Sequence, residues 1–331
     1  MPSPSPSVPL STSTPEPTST EAAPVVTPKL PFGGDCASVL RAPDLDELLG
    51  EGWLSYDEFV AIEGYPDYPR MTPLGTLGGL ACFWRVAAPD DAGFRVLSIL
   101  VAPAASIPER FADMYADARC DGHYNGTDCR LSRTVGDAWI LVRAADAVQD
   151  LPAAVLTRAL DAVAVQGAEA FDAVPATAQS TWWTIPDCVT LAEDMSLADV
   201  LGVGYGGGDG FWEGSPSPER LMEQEAGVSL VCEWWTQTVA NPPSIDGESH
   251  MPMLTLSAGG AWQWNEIAAF EGVERVDVAG AEDAVLFISD DESLGPLLYA
   301  TDGVNMLEVG WGTDSVPVLT MIAEKALAAL G

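Results

Sequence analysis

Two histidines, six cysteines and 49 carboxylate side chains are the chain's main stock of reactive groups. His123 lies in Asp121-Gly122-His123-Tyr124-Asn125-Gly126-Thr127-Asp128, enclosed by Cys120 and Cys129. Asp121, His123 and Asp128 have donor atoms suited to a metal, yet the glycines and a closing disulfide account for the loop without one. His250 stands in no recognisable catalytic setting. Neither a Gly-x-Ser-x-Gly turn, which presents a nucleophilic serine, nor a His-Glu-x-x-His helix, which aims two imidazoles at one metal, occurs. Paired carboxylates can do acid–base work, but their abundance singles out no pair. The expectation is a protein that is not an enzyme, with no catalytic residues, no metal ligands and no cofactor.

Binding chemistry has a better candidate. The run from Gly204 to Pro218, Gly-Tyr-Gly-Gly-Gly-Asp-Gly-Phe-Trp-Glu-Gly-Ser-Pro-Ser-Pro, sets Tyr205, Phe211 and Trp212 on a glycine-rich loop. It lacks the strand-to-helix context of a dinucleotide fingerprint and has no phosphate-binding lysine. With Trp182 and Trp183 these three aromatics are the expected ligand contacts, lining a cleft between two repeats; Trp235, Trp262 and Trp264 are further candidates. Asp44-Leu45-Asp46-Glu47 and Tyr56-Asp57-Glu58-Phe59 have an acidic look, but their oxygens miss the positions of a calcium loop. Divalent-cation binding by the acidic loops is a third, weaker reading.

The elements that would hold these residues come in two copies. Asp35-Cys36 opens a helix-like segment ending in Leu48-Leu49-Gly50, followed by Gly79-Leu80-Ala81-Cys82-Phe83-Trp84. Asp187-Cys188 opens another, ending in Val200-Leu201-Gly202 and followed by Val228-Ser229-Leu230-Val231-Cys232-Glu233-Trp234. The Cys-to-Gly spacing is the same in both. Repetition selects one pairing among the fifteen that six cysteines allow: Cys36–Cys82, Cys188–Cys232 and, as the remainder, Cys120–Cys129. No Cys-x-x-C is present, so metal is a poor use for these thiols, and an even count at repeated spacing implies an oxidising compartment.

A formal net charge of -35, from 49 acids against 14 Lys plus Arg, argues against nucleic acid, whose binding relies on cationic side chains. A cationic partner is one use for this charge; solubility in a salty or extracellular medium is the simpler one. No apolar run is long enough to span a bilayer.

Residues 1–32, rich in Pro, Ser and Thr, read as a disordered tether. They show no basic start or apolar core of an export signal; if the protein is exported, a signal and any lipidated cysteine have been trimmed. The first repeat covers 33–166, a small-residue linker 167–181, and the second repeat 182–331. In the first repeat Asp35 caps a helix that Pro43 interrupts, and 51–76 form an irregular covering loop. Strands follow at 79–86 and 94–101. A helix starts at Ser106-Ile107-Pro108-Glu109, further strands lie at 130–134 and 138–142, and a last helix is opened by Asp150-Leu151-Pro152. The second repeat keeps this order. The expected fold is α+β: two tandem similar domains, each an antiparallel sheet packed with helices, with Trp84 and Trp234 two residues beyond their cysteines on the same face.

These landmarks resemble a family of actinobacterial extracytoplasmic lipoproteins of unknown function, whose members open with Asp-Pro-Cys and carry Cys-x-Trp in a strand. Here Gly34-Asp35-Cys36 goes with Cys82-Phe83-Trp84, and Pro186-Asp187-Cys188 with Cys232-Glu233-Trp234. Neither opening is Asp-Pro-Cys, and two units stand where one is usual. The resemblance implies export, a lipid anchor at the cell surface or envelope as the one link to membrane, and a Mog1/PsbP-like α/β sandwich. It supplies no catalytic residues. The functional expectation is a non-catalytic surface lipoprotein that binds a small or envelope-derived ligand, apolar or aromatic-compatible if small. The alternative is a structural or accessory subunit with an envelope protein partner.

Overall fold

Twelve elements follow one another in the first unit: α1 (Cys36–Val39), α2 (Ala42–Leu49), β1 (Leu54–Ser55), α3 (Tyr56–Glu63), α4 (Pro73–Thr76), β2 (Leu80–Ala87), β3 (Phe94–Pro103), α5 (Glu109–Met114), β4 (Arg119–His123), β5 (Gly126–Val135), β6 (Ala138–Asp146) and α6 (Ala153–Ala170). The second unit runs α7 (Cys188–Asp194), α8 (Ala198–Leu201), β7 (Gly206–Gly208), α9 (Pro218–Glu225), β8 (Ser229–Trp235), β9 (Met253–Ser257), α10 (Trp264–Ala268), β10 (Val273–Arg275), β11 (Asp283–Phe287), β12 (Leu297–Thr301), β13 (Met306–Gly310) and α11 (Val316–Leu330). This computed structural model describes residues 27–63, 69–87, 94–123, 126–146, 153–208, 218–236, 250–289, 295–310 and 315–331.

Each unit is a wholly antiparallel sheet with its longest helix, α6 or α11, on one face and a short helix, α5 or α10, on part of the other. The strand orders are β1-β2-β3-β6-β5-β4 and β10-β11-β12-β13-β9-β8-β7. Read from the opposite end, the second sheet repeats the first and adds β10 at its edge. The register is repeated too. Cys82 stands opposite Ile99, Ile99 opposite Val142, and Val142 opposite Leu131. In the same way Cys232 faces Leu254, Leu254 faces Val309, and Val309 faces Leu298. Two similar α+β units, consistent with a tandem duplication, are therefore seen at the level of paired residues.

Strand alternation decides what this ladder buries. Cys82, Trp84, Leu97, Ile99 and Val142 point to α6 and meet its Leu156, Ala159, Leu160 and Val163. Cys232, Trp234, Leu254, Leu256 and Val309 point to α11 and meet Leu319, Ile322 and Ala323. Full burial of such side chains contributes about 1.5–3 kcal/mol each, so these two seams hold the units together. The cystines Cys36–Cys82 and Cys188–Cys232 fasten α1 and α7 to their first long strands, and Cys120–Cys129 joins directly opposed residues of β4 and β5. Asp35 caps α1 by accepting from the Ala37 N–H; Asp187 caps α7 by accepting from Val189 and Thr190.

Several local expectations are corrected. Pro43 does not interrupt a helix: it sits in the first turn of α2, where its missing N–H costs nothing, and the break falls earlier, at Leu40. The stretch 51–76 is not an irregular cover but contains β1, α3 and α4. Pro108, not Ser106, occupies the cap position of α5, and its side chain makes no capping bond. Residues 206–208, within the glycine-rich run, pair with β8 as an edge strand, the counterpart of β1. Helix α6 runs to Ala170, four residues into the stretch read as linker, and Lys29, in the stretch read as tether, bridges Val174.

The two units meet through the sheet faces turned away from α6 and α11, which α5 and α10 leave partly free. On the first free face Leu100, Trp139, Leu141, Phe111 and Tyr115 pack with Met222 of α9, which belongs to the second unit. Met71, from the first unit, joins Val285, Phe287, Leu297, Tyr299 and Met306 on the second. Each unit thus lends a residue to the other's sheet. Polar contacts add register: the Tyr299 hydroxyl donates to the Pro69 carbonyl at 2.6 Å, the Thr72 N–H to Gln263 Oε1 at 2.8 Å, and Trp262 Nε1 to Thr76 Oγ1 at 3.0 Å. Gly75 is required here by close approach, since a Cβ there would stand 2.5 Å from the Trp262 ring.

Candidate functional site

Where these faces do not touch they leave a half-open cavity of about 490 Å3, within the usual range for small-molecule sites. One wall is Ala81 and Phe83 of β2, Ser98 and Leu100 of β3, and Arg143 of β6. The facing wall is Ser229 and Val231 of β8, Met253 and Thr255 of β9, and Glu308 of β13. Arg70 to Leu74 and the α9 residues Glu219, Arg220 and Glu223 close it between.

Period-two alternation explains how charge reaches this place. Val142 and Ala144 face α6, so Arg143 must face the other way; Leu307 and Val309 face α11, so Glu308 faces the cavity. On α9, Met222 is 1% exposed against the first sheet, while Glu219, Arg220 and Glu223 share the neighbouring cavity side. Matching Val142 to Val309 makes Leu141 the equivalent of Glu308, and Gly310 the equivalent of Arg143. Helix-side positions of the two units correspond in character, whereas cavity-side positions have diverged. The result is one asymmetric site shared by both units.

The charges are held in a network. Arg143 Nε and Nη2 donate to Asp128 at 2.9 and 2.8 Å, and Arg130 reaches the same carboxylate at 3.2 Å. Arg130 also lies 3.8 Å from Glu219. Burial works against the charge on Arg143, but the hydrogen bonds and negative charge of Asp128 outweigh it and hold the guanidinium more firmly protonated. Arg70 stacks 3.7 Å over the Tyr56 ring. Glu223, enclosed by protein yet partly open to the cavity, is pushed up to about 7. Burial is the main cause and nearby Glu219 adds to it; Arg220 and a hydrogen bond from the Leu74 N–H pull the other way. The cavity therefore joins an apolar portion to arginine donors and a carboxyl that exchanges its proton near neutrality.

The aromatic residues expected to bind ligand are placed elsewhere. Trp183 is buried in the helix-side core of the second unit, and Tyr205 packs against that core, its hydroxyl pushed up by burial and then by Glu193. Trp182 lies over Gly259, whose φ of 68° and lack of a Cβ admit the ring. None of these three lines the cavity, and Phe211 and Trp212 lie outside the described residues. Trp262 and Trp264 donate to Thr76 and Asp283, and Trp235 stays 44% exposed beside Gly206. Asp128, drawn above as a possible metal ligand, is taken by two arginines. Among the described residues no three His, Cys, Asp or Glu side chains form a metal-binding group, and no helix is long and apolar enough to cross a membrane.

Arg70, Arg143, Arg220, Glu223 and Glu308 were missed because they come from four separate segments. A signal was present: Arg143 and Glu308 are charges set between apolar neighbours in their strands, where a solvent-facing alternation would repeat polar residues on both sides.

No family model matches the chain, and no curated protein does. A solved structure that it matches, the crystal structure of the di-domain ARO/CYC StfQ from the steffimycin biosynthetic pathway, is 12% identical over 75% of this chain and 78% of that one, with a TM-score of 0.13. A similarity of that size carries no structural or functional argument.

Proposed function

We propose that this protein is a non-catalytic binding protein of the cell envelope that holds a small ligand between its two repeats. The cavity carries the reading: a site of about 490 Å3, assembled from both units, with apolar and charged walls. The three cystines, which use all six cysteines, support an extracytoplasmic setting. A lipid anchor and a Mog1/PsbP-like form of each unit rest on the resemblance of the Asp-Cys and Cys-x-Trp landmarks, and for the form of each unit an antiparallel sheet packed with helices adds support.

Native mass spectrometry of protein recovered from its own envelope tests this reading. A small nonprotein mass retained per chain is expected, and lost in Thr255→Trp, which fills the cavity from the β9 wall. A stoichiometric protein partner without a small ligand would replace the binding reading with that of an accessory subunit.

A further inference from the structure

Strand register gives the two walls of the cavity the same order of chemistry. Across the first sheet Phe83 of β2 stands opposite Ser98 of β3, and Ser98 opposite Arg143 of β6. Across the second, Val231 of β8 stands opposite Thr255 of β9, and Thr255 opposite Glu308 of β13. Directly opposed residues point to one face of a sheet, and all six line the cavity. Each wall therefore runs from an apolar side chain through a hydroxyl to a charge.

The two charged ends are opposite in sign, and the other charges that line the cavity, Arg70 and Arg220 with Glu219 and Glu223, are of both signs as well. Further partners of these groups leave their signs unchanged, and guanidinium and carboxylate each serve more than one hydrogen bond. An anion drawn to one wall is opposed by the other, and so is a cation; a hydroxyl donates and accepts, so it suits both. The hydroxyls in the middle are uncommitted. Among the described residues Ser98, Ser229 and Thr255 have no hydrogen-bond partner, although Ser229 is only 4% exposed. Other buried hydroxyls are taken up: Thr236 accepts from the His250 N–H at 3.1 Å, and Thr301 donates to the Asn305 carbonyl at 2.7 Å. A buried hydroxyl is costly unless bonded, and these three face the cavity from β3, β8 and β9 among apolar neighbours.

We infer that the cavity takes an uncharged amphipathic molecule, its apolar body against Phe83, Leu100, Val231 and Met253 and its hydroxyl groups against Ser98, Ser229 and Thr255. This rests on the binding reading above and narrows it from any small ligand to a neutral, hydroxyl-bearing one. Apolar contact supplies most of the affinity, because it scales with the area taken out of water. The wall hydroxyls supply the selection, since a ligand without a matching group leaves them unbonded.

The test is isothermal titration of the full chain with phenylbutanol, phenylbutanoate, phenylbutylamine and butylbenzene, one skeleton with different heads. It is run at about pH 8, where Glu223, pushed up to about 7, is charged. Phenylbutanol is expected to bind about fivefold more tightly than butylbenzene, the gain of one hydrogen bond, and at least about tenfold more tightly than the carboxylate or the amine. In the variant combining Ser98→Ala, Ser229→Ala and Thr255→Val the alcohol should fall to the affinity of butylbenzene, whose own binding is kept and reports an intact fold. Tightest binding of carboxylate or amine, an alcohol no better than butylbenzene, or an alcohol preference retained in the triple variant would each overturn the inference; loss of that binding in Thr255→Trp would still leave the cavity as a site. Binding of none of these compounds overturns the inference too: a small mass retained in native mass spectrometry would then keep the binding reading, and its absence would remove both. Binding that survives Thr255→Trp overturns both.

Discussion

Asn305 has no exposed surface and uses every hydrogen-bonding position of its side-chain amide. Oδ1 accepts from the backbone N–H of Trp183 at 3.1 Å and of Gly259 at 2.9 Å, while Nδ2 donates to the Thr181 carbonyl at 3.0 Å and to Asp302 Oδ2 at 2.9 Å. It ties the approach to α7, the turn after β9 and the β12–β13 hairpin to one point. Asn305→Ala strands two N–H groups on buried residues, each costing about 1–3 kcal/mol; the exposed Thr181 and partly exposed Asp302 can turn to water. The expected loss is about 3–5 kcal/mol of second-unit stability, read as a shift in urea midpoint by tryptophan fluorescence. Asn305→Asp keeps the acceptor but sets a second oxygen against a carbonyl and a carboxylate. Its introduced carboxyl has a folded pKa above its unfolded value, so stability is retained below about pH 4 and lost as pH rises. A loss under about 1 kcal/mol for Asn305→Ala at unchanged slope, or an Asn305→Asp variant insensitive to pH, would refute this account of the amide.

The remaining expectations concern the arginine network and the cystines. Asp128→Asn should cost about 3 kcal/mol, because it leaves Arg130 and Arg143 without their shared carboxylate, and adding Arg143→Met should recover part of it; additive losses in the urea cycle would show that the pair is uncoupled. Replacing Cys188 and Cys232 with alanine opens a span of 44 residues and should cost about 4 kcal/mol, against about 2.7 kcal/mol for Cys120 and Cys129, separated by 9. Urea midpoints of the two disulfide-free variants in the reverse order would contradict the chain-entropy explanation.

Much of each unit could be read along the chain because its causes are local or repeated. Asp35 and Asp187 stand where a helix needs an acceptor, and the spacing of Cys82 to Trp84 and of Cys232 to Trp234 puts both side chains on one strand face. Duplication supplied the cystine pairing, since the same landmarks recur. Pro43 and Pro108 were misread because a proline's effect depends on its place relative to the first helical turn, and that boundary was set by neighbours in space. Trp183 was read as a ligand contact for a similar reason: it is bulky and apolar, which serves a core as well as a ligand, and its sequence surroundings do not distinguish the two.

What the sequence by itself determined is the pair of helix-covered sheets, because hydrophobic alternation and cysteine spacing act within a unit. What only the tertiary structure decided is how the two faces turned away from α6 and α11 meet. Arg70, Arg143, Arg220, Glu223 and Glu308 are unremarkable one by one; they become a site because α9 and the segment before α4 lie between opposed sheets. Electrostatic coupling depends on distance through space and on exclusion of water, and neither is written in the spacing of residues along the chain.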